Sequence, residues 1–155
     1  MKQVAVIGIG MSAATATAEA LSFIRQADVL LGAKRMTDEF AFLGKPMKAL
    51  YRPDEVEAAI RESGAERFAV LVSGDVGFYS GAAGLVERLG AYDLKLIPGV
   101  SSVSYFFAKC GLPWQDAALV SCHGTDTDLV GAVRRNRLTF ALTGDIARLS
   151  DSLCV

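Results

Sequence analysis

The sequence predicts an α/β fold: a mostly parallel sheet flanked by helices, followed by a second, incomplete α/β domain. Three observations predict it. Short runs rich in valine, isoleucine and leucine alternate with longer segments of helical character along the chain, and such alternation builds parallel sheets covered on both faces. The first run, Val4-Ala-Val-Ile-Gly-Ile9, is apolar without a break, as in a strand buried on both faces. The stretch Leu71-Val-Ser-Gly-Asp-Val-Gly-Phe-Tyr-Ser-Gly81 passes from a strand-like run to a helix-like one through small residues. Glycine there lets the backbone turn sharply and lets a ligand come close, and turns of this kind lie at the carboxyl ends of strands, where ligands bind in open α/β sheets.

Residues 4–9 form the first expected strand, and a helix follows over 13–26 with Ser12 as N-cap. A short strand covers 28–32. Residues 36–43 have helical character and stop near Gly44-Lys-Pro46, and 47–50 form another short strand. Pro53-Asp-Glu-Val56 opens a helix with proline in its first turn and two carboxylates at the positive end of its dipole; Ser63-Gly64 closes it. A strand over 68–72 leads into the glycine-rich turn and a helix to Gly90. Residues 94–97 form a strand ending at Pro98-Gly99, and a helix over 101–110, begun by Ser101 or Ser102, ends at Gly111-Leu-Pro113. A strand at 117–122, a helix at 126–135, a strand at 138–142 and a helix at 146–153 complete the chain.

A break at Gly111-Leu-Pro-Trp-Gln115 separates an N-terminal α/β domain, residues 1–112, from the start of a second, residues 113–155. Two strands and two helices are little for an independent domain, so the second domain is expected to be truncated and the chain to be a fragment of a longer protein.

With 155 residues, 52% hydrophobic and 21% charged, the chain has the composition of a folded domain rather than a disordered one. No run approaches the roughly 20 apolar residues that span a bilayer. The chain enters a strand almost at once, and a cytoplasmic protein with no leader and no membrane partner is expected. A net charge of −1 gives nucleic acid no general attraction. Cys110, Cys122 and Cys154 lack metal-ligand spacing and His123 is the one histidine, so no metal site is expected and the thiols are read as reduced.

Three loops carry the candidate chemistry. Gly8-x-Gly10-x-x-Ala13 looks like a dinucleotide fingerprint, but the fingerprint wants an acid near the carboxyl end of the second strand; Asp28 begins that strand instead, which argues against NAD. No P-loop is present. In the second loop Asp75 could accept hydrogen bonds from ribose hydroxyls or cap its own turn, and Phe78 and Tyr79 could flank a purine or fill the core. The third loop, Ile97-Pro-Gly-Val-Ser-Ser-Val103, offers hydroxyls and helix N-terminal amides that either grip a polar ligand or cap the helix.

Together, Gly8-Ile-Gly10, Ser73-Gly-Asp-x-Gly-Phe-Tyr79, and Ile97-Pro-Gly-Val-Ser-Ser102 followed by Gly111-Leu-Pro-Trp-Gln-Asp-Ala117 resemble the tetrapyrrole (corrin/porphyrin) methyltransferases. Val120-Ser-Cys-His-Gly124 and Gly32-Ala-Lys-Arg35 look most like the subgroup acting at carbon 5 of a precorrin in cobalamin synthesis. Two loop positions depart from the family pattern. Met11 and Ser12 replace a Pro-Gly pair, and Val76 replaces a proline; both changes alter loop stiffness more than chemistry.

The resemblance implies S-adenosylmethionine as cofactor and methylation of a ring carbon of a precorrin or cobalt-precorrin. It implies cofactor contacts at Gly10, Met11, Ser73, Gly74, Asp75, Phe78, Ser101 and Ser102, and at Thr143 from the second domain. Lys34 and Arg35 are candidates for the substrate carboxylates, whereas Arg134, Arg135 and Arg137 are read as a solvated helix end. His123 is a candidate base. A homodimer is implied as well. Rival readings are a methyltransferase of the same fold acting on another tetrapyrrole, RNA or a translation factor, and a non-catalytic fragment.

Overall fold

The computed structural model defines residues 1–123 and 127–143. The chain divides into two units, Met1–Ser102 and Val103–Val155, so all but the first residue of the helix after the third loop goes with the second unit.

The first unit contains β1 (Gln3–Gly8), α1 (Ala18–Gln26), β2 (Val29–Gly32), α2 (Lys34–Asp38), β3 (Met47–Ala49), α3 (Pro53–Glu62), β4 (Arg67–Val72), α4 (Ala82–Leu89) and β5 (Asp93–Ile97). Its five strands form one sheet in the order β3-β2-β4-β1-β5, every pair parallel. The uninterrupted apolar run in β1 follows from this order. Val4, Ala5, Val6 and Ile7 are fully buried, because β1 has strands on both sides and helices on both faces. Ala5, Ile7 and Ile9 pack with Ala20 and Ile24 of α1 and with Met36 and Phe40. Val4 and Val6 pack on the opposite face, in the cluster of Val56 and Ile60 of α3 and Leu85 and Leu89 of α4. Each such aliphatic side chain contributes about 1.5–3 kcal/mol on burial.

The order also fixes where a ligand site forms. From β1 the chain crosses past β4 to β2; from β4 it crosses past β1 to β5. The carboxyl ends of β1 and β4 are therefore neighbours from which the chain departs in opposite directions, a topological switch point.

The second unit pairs β6 (Ala118–Ser121) with β7 (Thr139–Leu142) in parallel, with α6 (Leu129–Arg135) between them in the chain. Phe106 and Phe107 of α5 (Ser102–Cys110) meet the Phe140 ring of β7 at centroid distances of 5.7 and 6.2 Å.

Three expected helices differ from those observed. The helix expected over 13–26 with Ser12 as cap is interrupted: a 3-10 turn occupies Ala13–Thr15, and α1 starts only at Ala18. Thr17 takes the capping role, its hydroxyl accepting the Ala20 amide at 3.1 Å. Threonine side chains that bond nearby backbone compete with helix continuation. The segment 36–43 is split likewise into α2 and a 3-10 turn, Ala41–Leu43, closed by Gly44 at φ 61°. Helix α6 begins at Leu129, where Asp128 accepts the Gly131 amide at 2.7 Å. The helix expected over 146–153 lies outside the described residues, as does Cys154.

Candidate functional site

The site is built at the switch point from the loops that follow β1, β4 and β5. The first two loops are stitched together by their backbones. Gly10 donates to the Gly74 carbonyl at 3.1 Å and Gly74 to the Gly10 carbonyl at 2.9 Å, while Ile9 donates to Val72 at 3.0 Å. Both glycines have positive φ, 72° and 65°, which a residue with a Cβ adopts only under strain.

The third loop is held by contact of backbone on backbone. A Cβ on Gly8 would stand 2.5 Å from the Gly74 carbonyl oxygen and 2.8 Å from the Gly99 nitrogen, and a Cβ on Gly99 would fall on the carbonyl oxygens of Gly74 and Gly8. The three loops thus meet at glycines that no other residue replaces without displacement.

Asp75 completes the junction. Its Oδ1 accepts the Gly77 amide at 2.8 Å, a local turn of the kind aspartate favours. Its Oδ2 accepts the Gly99 amide at 3.1 Å. Of the two roles open to this carboxylate, the one observed is structural: it ties the second loop to the third. Phe78 and Tyr79 do not fill the core. Phe78 is half-buried and Tyr79 is 56% exposed, at φ 46°, with the two rings edge to face at 5.0 Å.

Gly10, Met11, Gly74, Asp75 and Ser102 come together at this junction. The Met11 Cε and the Ser102 nitrogen lie 3.9 and 4.0 Å from where a Gly74 Cβ would be, van der Waals contact about a buried glycine. Ser73 is exposed next to it, and Ser101, half-buried, precedes Ser102 in the third loop. Lys34 and Arg35 open α2 at the carboxyl end of β2, exposed to solvent. Lys34 is engaged by Asp38 one turn on, at 2.7 Å. His123 and Thr143 belong to the second unit, each just past the carboxyl end of its strand, β6 and β7, and both are exposed. Arg135 pairs with Asp128 at 3.4 Å at the end of α6.

Gly8 and Gly99 stood in the loop motifs but not among the expected contacts; they act through what they lack, and sequence gives no sign of which backbone approaches a glycine at a strand end. Two further residues at the junction were not singled out in the sequence. Thr15 and Glu39 bond the first loop. The Thr15 hydroxyl accepts the Met11 amide at 2.7 Å and the Ser12 amide at 3.0 Å; Glu39 accepts the Ala13 amide at 3.0 Å.

The acid that a dinucleotide site needs is at the other end of the sheet. Asp28 precedes β2 and accepts the amides of Arg67 at 2.8 Å and Glu66 at 3.1 Å. Those amide hydrogen bonds, Arg67 first, hold its carboxyl below the ordinary carboxylate value.

Comparison with known proteins agrees with this architecture. The chain is 35% identical over 111 residues to a cobalt-precorrin-7 C(5)-methyltransferase of Salmonella typhimurium, covering 70% of this chain and 54% of that protein. It is 34% identical over 131 residues to a decarboxylating precorrin-6Y C(5,15)-methyltransferase of a Sinorhizobium species, covering 81% of this chain and 31% of that one. The chain therefore spans about half the length, or less, of these relatives. Its fold matches that of a uroporphyrin-III C-methyltransferase of Thermus thermophilus, solved with S-adenosylhomocysteine, at a TM-score of 0.71 and 21% identity, over 98% of this chain and 75% of that one. The sequence profile of the tetrapyrrole (corrin/porphyrin) methylases matches residues 3–152, and the chain belongs to that family.

Proposed function

We propose that this chain is the cofactor-binding part of an S-adenosylmethionine-dependent methyltransferase that acts on a ring carbon, carbon 5, of a precorrin or cobalt-precorrin in cobalamin biosynthesis. The supporting observation is the three-loop junction, in which Met11 and Ser102 come up against the buried Gly74. Family membership and the names of the two bacterial relatives support the substrate.

The loops suit an adenosyl cofactor without phosphates. The amides of Gly10, Met11, Ser12 and Ala13 are all bonded within the protein, so this turn holds no donor set for a pyrophosphate of the sort a dinucleotide fold presents. Backbone and side chains at Gly10, Met11, Ser73, Gly74, Phe78, Ser101 and Ser102 would hold the cofactor, with Asp75 bracing the loops and Thr143 keeping the role the resemblance gives it. The cofactor supplies an activated methyl group on a sulfonium.

The remaining work is positioning. An electron-rich macrocycle is itself the nucleophile, so no serine or cysteine nucleophile is needed. Holding the reacting atoms in line is worth several kcal/mol, up to roughly 7–11 in the best intramolecular cases. Arg35 and Lys34 are assigned to substrate carboxylates and His123 to proton removal after transfer. Pairing with a second copy of the chain completes the proposal.

Calorimetric titration with S-adenosylhomocysteine tests it. Micromolar binding that Ser101→Trp abolishes, with the variant's cooperative unfolding intact, is expected. No binding by the parent chain overturns the cofactor assignment.

A further inference from the structure

We propose that Thr15, assisted by Glu39, is the positioning residue of the first cofactor loop, doing by hydrogen bonding what backbone stiffness alone does not do in this chain. The inference rests on the cofactor reading above. The turn after β1 contains Met11-Ser12, with no proline to fix its path. Left to itself it would sample many conformations, and ordering it on binding would weaken affinity.

The Thr15 hydroxyl removes that freedom. It accepts the Met11 and Ser12 amides at 2.7 and 3.0 Å and donates to the Ser12 carbonyl at 2.9 Å. The Thr15 amide also donates to the Ser12 carbonyl, at 3.0 Å. One hydroxyl therefore uses its donor and both acceptor sites within the five residues 11–15. Gly10 is coupled to the same group: an added Cβ there would meet the Thr15 side chain. Glu39, just past α2, fixes the next amide, Ala13, at 3.0 Å.

The consequence is directional. With the amides of residues 10–13 turned inward, the turn presents the Met11 side chain, 40% exposed, whose Cε lies 3.9 Å from where a Gly74 Cβ would be. Thr15 does not touch the ligand; it sets where Met11 stands. The Glu39 carboxylate occupies the place of an anion at the start of the turn, so the same device disfavours phosphate-bearing ligands.

The test compares the parent chain with Thr15→Val, Thr15→Ser and Glu39→Ala. Two quantities are read: affinity for S-adenosylhomocysteine by calorimetry, and amide hydrogen exchange residue by residue. Thr15→Val is expected to bind about tenfold more weakly and to exchange the Met11 and Ser12 amides about tenfold faster. Ile9 and Gly10, bonded to Val72 and Gly74, should be unchanged. Thr15→Ser restores both quantities to within about threefold of the parent. If Thr15→Val fails to fold, Glu39→Ala carries the test, with faster Ala13 exchange and weaker binding expected. Parent-like affinity or exchange in the folded variants overturns the positioning role and leaves the cofactor reading intact. No binding by the parent chain overturns both.

Discussion

Asp75 reaches across the carboxyl edge of the sheet to Gly99, its Oδ2 accepting the Gly99 amide at 3.1 Å while its Oδ1 holds Gly77 at 2.8 Å. Removing the carboxylate leaves two amides without their acceptor. Asp75→Ala is expected to lose about 1–3 kcal/mol, with Asp75→Asn losing less because its amide oxygen still accepts one of the two bonds. Urea denaturation midpoints at constant slope measure it, and a loss for alanine no larger than for an exposed aspartate elsewhere would remove the bracing role.

The glycine junction gives a sharper contrast. Gly99→Ala places a methyl group on two carbonyl oxygens, whereas the same change at Gly64 meets nothing within 4 Å. The first is expected to destabilise the chain by about 1–3 kcal/mol and the second to stay within about 0.5 kcal/mol of the parent. Equal effects in thermal or chemical unfolding would refute the close approach.

Asp28 predicts an acid limb. Its folded-state carboxyl is depressed below 3.8 by the Arg67 and Glu66 amides, so its contribution is complete above the unfolded value and is lost as pH falls through the folded one. The gap in stability between the parent and Asp28→Asn should be constant from about pH 5 to 7 and close below about pH 4. Denaturation midpoints across that range check it; a gap that widens with acid has the wrong sign.

Tyr92 predicts the alkaline counterpart. Its hydroxyl donates to Glu57 Oε1 at 3.2 Å, and burial first, then the Glu57 charge, raise its pKa above the ordinary tyrosine value. Its contribution is present below the unfolded value and lost as pH rises through the folded one. Tyr92→Phe should cost up to about 1 kcal/mol at pH 7, reduced by solvent at this half-exposed site. The difference should shrink above about pH 10. Ultraviolet titration of the phenol gives the direction independently.

The kind and sequence of elements were legible because buried strands and amphipathic helices leave different apolar periods. Residues 4–9, 53–63 and 68–72 were read nearly to their ends. The start of α1 was not, since Ala13 to Ala20 favours helix by composition, and the interruption depends on where the hydroxyls of Thr15 and Thr17 find partners. At the site, Gly10, Gly74, Asp75 and Ser102 were legible as loop residues at strand ends. Asp75's bond to Gly99 and Glu39's bond to Ala13 join residues more than twenty positions apart, and no local spacing encodes them. Strand order was equally hidden, because parallel pairing is settled by helix packing across the whole unit.

That strand order has a consequence for synthesis. Strand β1, paired on both sides, precedes the other four in the chain, yet its hydrogen-bonding neighbours are residues 67–72 and 93–97. At about 5–20 residues per second, a newly made Val4-Ala-Val-Ile run waits several seconds for its first partner and longer for its second. For that interval an apolar segment with strong β preference stands without its sheet, open to other chains or to a chaperone. The residue pairs that bury β1 so completely at the end are the ones that leave it longest exposed at the start.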